Sequence, residues 1–142
     1  MICVDASVAW KWLFPEEYGA QADSLLRVTL EQGEPMIAPP AFPSEVSNIA
    51  RQQMRRGGMS LDDARSVIAE FLNIPITIQA PESMYDRALV LAAEHGLPAM
   101  YDALYVALAE LLGATLWTAD ERLLRSLSGK LPFVRWIADY RV

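Results

Sequence analysis

The sequence holds a single cysteine, Cys3, and a single histidine, His95. One cysteine closes no internal disulfide, which suits a reducing compartment and leaves Cys3 as a small buried residue of a strand. One cysteine and one histidine together cannot furnish the nitrogen and sulfur ligands of an ordinary zinc site. No apolar run reaches the ~18 residues of a membrane helix, because Asp102 and Glu110 interrupt the best candidate. The opening "MICVDASV" enters strand-like sequence at once, with no basic leader or cleavage site. Together these absences predict a cytoplasmic location. Positive charge is scarce as well: 12 lysines and arginines face 18 acids, for a formal net charge of −6. That argues against a general nucleic-acid coat, since phosphates want basic surface. It does not exclude a nuclease, because metal-binding carboxylates add negative charge that a cation partly cancels.

What is present is an alternation. Short β-branched or apolar runs, "ICVD", "MIAPP", "IPITI", "TLWT" and "FVRWI", are separated by segments with helical spacing of their apolar residues. "PSEVSNIARQQMRRGG" has proline at its start, arginines in its last turn and glycines after it. "SLDDARSVIAEFL" opens with Ser60 as N-cap and Asp63 three residues on. Strands alternating with helices predict an α/β layered fold with a mostly parallel sheet, and 142 residues fit one domain, 1–142.

Four acids stand where such a fold collects its chemistry. Sites in open parallel sheets form outside the carboxyl ends of the strands. Asp5 closes the first strand, and Asp120 follows "TLWT" by one residue. Glu45 and Asp102 fall in first turns of helices, which begin at that same edge when they follow a strand. Each acid has an ordinary explanation taken singly. First-turn carboxylates favour the helix dipole by about 0.3–1 kcal/mol, and Asp5 and Asp120 are good N-caps. Together they would be costly without a counter-ion: two carboxylates ~5 Å apart repel by about 3 kcal/mol at an effective dielectric near 20. All-oxygen ligation suits Mg²⁺ or Mn²⁺, and a hard cation so held suits phosphodiester hydrolysis.

"VDASVAWKW", "PSEVSNIA", "YDALYVALA" and "LWTADERLL" resemble, in order, the motifs of PIN-domain ribonucleases, especially the VapC-type toxins of bacterial toxin–antitoxin pairs. The resemblance implies a three-layer α/β/α domain with a central sheet of about five strands. It implies a Mg²⁺- or Mn²⁺-dependent endoribonuclease whose catalytic and metal-binding acids are Asp5, Glu45, Asp102 and Asp120. Ser7 and Thr118 match the family's hydroxyl positions beside that site, and Asn48 lies one turn beyond Glu45. It also implies a homodimer, an RNA substrate and a cognate VapB-like antitoxin. Ala99 departs from the pattern, standing where such toxins often carry Ser or Thr three residues before the helix aspartate.

Lys11, Arg51, Arg55 and Arg122 are candidate RNA contacts, with Arg56 and Arg125 near them. Trp10 and Trp12, two residues apart, cannot both face one core direction, so the Trp10–Phe14 segment is a candidate apolar docking surface; the competing reading is cover by the next helix. His95 precedes Gly96 at a helix end and suits a dipole partner there. Two other functions compete with the nuclease. Phosphoryl transfer through Asp5 fails to find a second acid two residues on, a receiver-type lysine after the late strands, or a glycine-rich phosphate loop. A catalytically inactive binding module of the same fold is opposed by the intact set of four acids.

Overall fold

Ile2, Cys3 and Val4 all demand burial, and they form a central strand, β1 (Ile2–Val4), covered on both faces. The computed structural model describes residues 1–142. After β1 come α1 (Ala6–Leu13), α2 (Gly19–Glu31), β2 (Met36–Ala38), α3 (Phe42–Arg55), α4 (Leu61–Phe71) and β3 (Ile76–Ile78). The second half adds α5 (Met84–His95), α6 (Met100–Leu112), β4 (Thr115–Thr118), α7 (Glu121–Leu127) and β5 (Val134–Trp136). The five strands make one sheet in the order β3-β2-β1-β4-β5, with every neighbouring pair parallel. Cys3 stands opposite Ile37 on one side and Leu116 on the other.

The chain steps outward from β1 to β2 and β3, then returns across the sheet to β4. Right-handed crossovers then put α1 to α4 on one face and α5 to α7 on the other, a three-layer α/β/α arrangement. The packing agrees: α1 touches α2, α3 and α4, while α5 lies along α6, and α6 covers β1 and β4. Strand order reverses between β1 and β4, so a crevice opens at that switch point beyond their carboxyl ends.

The apolar run after Asp102 becomes α6, buried without a break from Ala103 to Ala109. A helix apolar all round belongs in the interior, and this one lies between the sheet and α5. Gly96 and Gly113 end α5 and α6 in the left-handed conformation (φ 63° and 66°), where a Cβ would be strained. Ser60 caps α4 by accepting a hydrogen bond from the Asp63 amide at 3.1 Å. Ala99 offers α6 no side-chain cap. No helix is long and apolar enough to cross a membrane.

Of the two tryptophans of α1, Trp10 is 1% exposed. Trp12 is half-covered by α2, its indole N–H donating to the Ala22 carbonyl at 2.8 Å. Cover by the next helix is therefore the better account of this segment. Apolar surface is open instead between α3 and α4, in a groove of about 450 Å³ floored by Ala50, Met54, Ala64, Ile68 and Leu72.

Candidate active site

Asp5 leaves β1 and caps α1, its Oδ1 accepting from the Val8 amide at 3.1 Å. Two hydroxyls hold it further: Ser7 Oγ donates to Oδ1 and Thr118 Oγ1 donates to Oδ2. Both hydroxyls are oriented in turn by amides at the end of β4. The Ala119 N–H donates to Ser7 Oγ at 2.9 Å, and the Asp120 N–H to Thr118 Oγ1 at 3.0 Å. This lattice ties β1 to β4 across the switch point, joining residues more than a hundred positions apart.

Asp120 caps α7, accepting at Oδ1 from the Arg122 amide at 2.9 Å and from the Leu123 amide at 3.4 Å. Its surface partner is the Arg122 side chain, 86% exposed, at 3.6 Å. Glu45 sits in the first turn of α3 and accepts from the Tyr105 hydroxyl at 3.2 Å. Asp102 sits in the uncapped first turn of α6. The N-cap and first-turn roles are thus real for these acids.

All four carboxylates line one cleft of about 250 Å³, together with Ser7, Asn48, Gln52 and Tyr105. No lysine, arginine or histidine lines it. Burial raises the protonation equilibria of three of these acids, and their neighbours' negative charge adds to the rise. Burial pushes the Asp5 carboxyl up to about 6, with Asp120 adding to the rise, against the downward pull of Ser7, Thr118 and Val8. Burial pushes Glu45 up to about 7, with Asp5 and Asp102 adding to it and Tyr105 opposing. Asp102 is raised by burial and then by Asp120. The buried Tyr105 phenol is pushed far above its ordinary range, so it remains a donor.

An oxygen-only donor set with no internal cation fits a hard divalent ion. No three of these carboxylates close on a common point as a complete protein cage would. The other basic candidates divide by place. Gln52, Arg55 and Arg56 line a polar hollow that shares Gln52 with the cleft, and Arg122 lines a second hollow that shares Asp102 and Asp120 with it. Arg51 instead borders the apolar groove between α3 and α4. Lys11 is turned away, paired with Glu16 at 3.2 Å and lying 6.0 Å from the Tyr18 ring. His95 ends α5 and lines none of these hollows.

Sequence reading missed Tyr105 and Gln52. The signal was present in the spacing: Tyr105 is one turn beyond Asp102, and Gln52 is two turns beyond Glu45.

The PIN domain family model matches residues 2–129. Ribonuclease VapC12 of Mycobacterium tuberculosis is 35% identical over 126 residues, covering 89% of this chain and 92% of that protein. Ribonuclease VapC3 of Pyrobaculum aerophilum is 31% identical over 133 residues, covering 92% and 95%. Among solved structures, PAE2754 from Pyrobaculum aerophilum superposes with a TM-score of 0.68 at 22% identity, covering 96% of this chain and 90% of that one. Mycobacterium tuberculosis VapC20, described as a sarcin–ricin loop cleaving toxin, gives 0.64 at 15%, covering 89% and 95%. With the motifs, the fold and these likenesses in agreement, the chain belongs to the PIN-domain family and, within it, to the VapC type.

Proposed function

We propose that the protein is a Mg²⁺- or Mn²⁺-dependent endoribonuclease, the toxin of a VapBC-type pair, working in the cytoplasm as a single domain over residues 1–142. The observation that carries the reading is a cleft lined by Asp5, Glu45, Asp102 and Asp120 with no cation of its own. Relatives over 30% identical across nine-tenths of the chain are named ribonucleases, which supports RNA as substrate. Asp5 and Asp102 are the principal ligands for the ion, with Glu45 and Asp120 completing its surroundings. When bound, the ion supplies charge against the scissile phosphate and acidifies water at the cleft.

The chain's own groups do the rest. Ser7 and Thr118 hold both oxygens of Asp5, so its carboxylate presents one orientation. Glu45 faces the cleft with Oε1 held by the Tyr105 hydroxyl and Oε2 open to accept a proton from attacking water. Asn48 and Gln52 offer amides to the substrate inside the cleft, and Arg55 and Arg122 in two adjoining hollows offer charge to neighbouring phosphates. The partners are an antitoxin and a second copy of this chain. Tyr85 and Leu89, exposed one turn apart on α5, support a self-association face, and the α3–α4 groove supports an apolar antitoxin segment.

The test is cleavage of structured RNA by purified protein. Cutting should require Mg²⁺ or Mn²⁺, stop with EDTA and fall at least a hundredfold, on the order of a lost catalytic group, in Asp5→Ala. Cutting that survives both chelation and that substitution would overturn the reading.

A further inference from the structure

Tyr105 is a large polar-tipped side chain in the interior, 1% exposed, and its position owes nothing to the surface. It lies on α6 one turn beyond Asp102, so both project from the same face toward the cleft. The ring packs edge-on against Phe42, at the start of α3, with centroids 6.5 Å apart and planes at 81°. A buried phenol needs a hydrogen-bond partner, and Tyr105 finds it in Glu45 Oε1, sixty residues away in sequence. That contact joins helices from opposite faces of the sheet above its carboxyl edge.

Glu45 needs such a restraint more than Asp5 or Asp120 does. Asp5 is held at both oxygens by Ser7, Thr118 and Val8, and Asp120 by two amides of α7. Glu45 has a longer, freer side chain, and Asp5 and Asp102 both repel it. Its restraint within the protein is the Tyr105 hydroxyl, which engages Oε1 and leaves Oε2 free.

We propose that Tyr105 is a positioning residue whose hydroxyl pins the Glu45 carboxylate across the cleft, so that a divalent ion meets a preset oxygen rather than a mobile one. This rests on the metal-dependent reading above and adds a role that the acids alone do not carry. Outer partners of metal-site groups typically govern affinity or activity by roughly 10–100-fold.

Tyr105→Phe removes only the hydroxyl and keeps the ring against Phe42. Mn²⁺ binding to the RNA-free protein, followed by electron paramagnetic resonance, should weaken about tenfold, while the melting temperature without metal stays within a few degrees of wild type. In a Glu45→Gln background, where the charged group to be pinned is gone, adding Tyr105→Phe should weaken Mn²⁺ binding no further. Wild-type affinity in Tyr105→Phe overturns the proposal and leaves the metal-dependent reading intact. So does an equal loss in both backgrounds, which marks a packing effect. Absence of Mn²⁺ binding in the wild type itself overturns both.

Discussion

The Asp5 carboxylate caps α1, anchors two hydroxyls and lines the cleft, all from a position almost closed to solvent. Hydrogen bonds favour its ionised form, and burial with Asp120 disfavours it; burial wins, and the pKa rises to about 6. The consequence for stability has a definite sign. A carboxyl whose folded pKa lies above the ordinary value near 4 binds more protons folded than unfolded. Its contribution to stability is therefore present below about pH 4 and lost as pH climbs through the folded pKa. For Asp5 that loss is complete by about pH 6, and for Glu45 by about pH 7. In EDTA these two groups should make the melting temperature fall between about pH 4 and pH 7, an effect that saturating Mn²⁺ should suppress by matching the charge. Asp5→Asn, lacking one of the titrations, should show a shallower fall. A melting-temperature series across pH, with and without Mn²⁺, reads both outcomes; identical slopes in wild type and variant would show that Asp5 does not carry the effect.

Among the helices, α6 does the most to set the site. Its uninterrupted burial from Ala103 to Ala109 fixes its position against the sheet, and its first turn carries Asp102 while its second carries Tyr105. The weak point is its start. Ala99 occupies the N-cap with extended backbone (φ −122°, ψ 134°) and gives the exposed amides of the first turn no acceptor. That backbone suits a serine cap. Ala99→Ser should stabilise the protein by roughly 0.5–2 kcal/mol, measured as a higher urea midpoint with an unchanged slope. The natural pairing of an uncapped helix end with a first-turn acid leaves Asp102 without a protein hydrogen bond competing for its oxygens. An unaltered midpoint would show that water already satisfies those amides.

For the whole molecule, the decisive feature is charge held in a cleft at the switch point of the sheet. An antitoxin arginine entering that cleft would pair with the acids, supply the positive charge they lack and cover the site. Cation and arginine would then compete for the same carboxylates. Raising Mg²⁺ or Mn²⁺ at fixed ionic strength should weaken binding of an antitoxin tail peptide, and Asp102→Asn should weaken it as well. Fluorescence anisotropy across a metal titration measures both. Affinity indifferent to metal and to Asp102→Asn would mean that inhibition works by steric cover alone.

Local pattern was enough for the alternation of strands and helices, the Ser60 cap, the burial of α6 and the candidacy of the four acids, because each depends on neighbours a few residues away. The family motifs, themselves short and local, carried the reading from those acids to an expected nuclease. Folding decided what depends on distant pairs. Sheet order puts β4 beside β1 rather than at an edge, and that lets Thr118 reach Asp5 and the Ala119 amide reach Ser7. The crossing of α3 and α6 over the sheet edge brings Tyr105 to Glu45, a contact that no spacing within either helix encodes. Packing of α2 against α1 covers Trp12, while the open apolar groove falls between α3 and α4. Secondary structure and residue type are local properties of a chain; which carboxylate is buried, which hydroxyl reaches it and which face stays open are set by burial and by contacts closed across the whole fold.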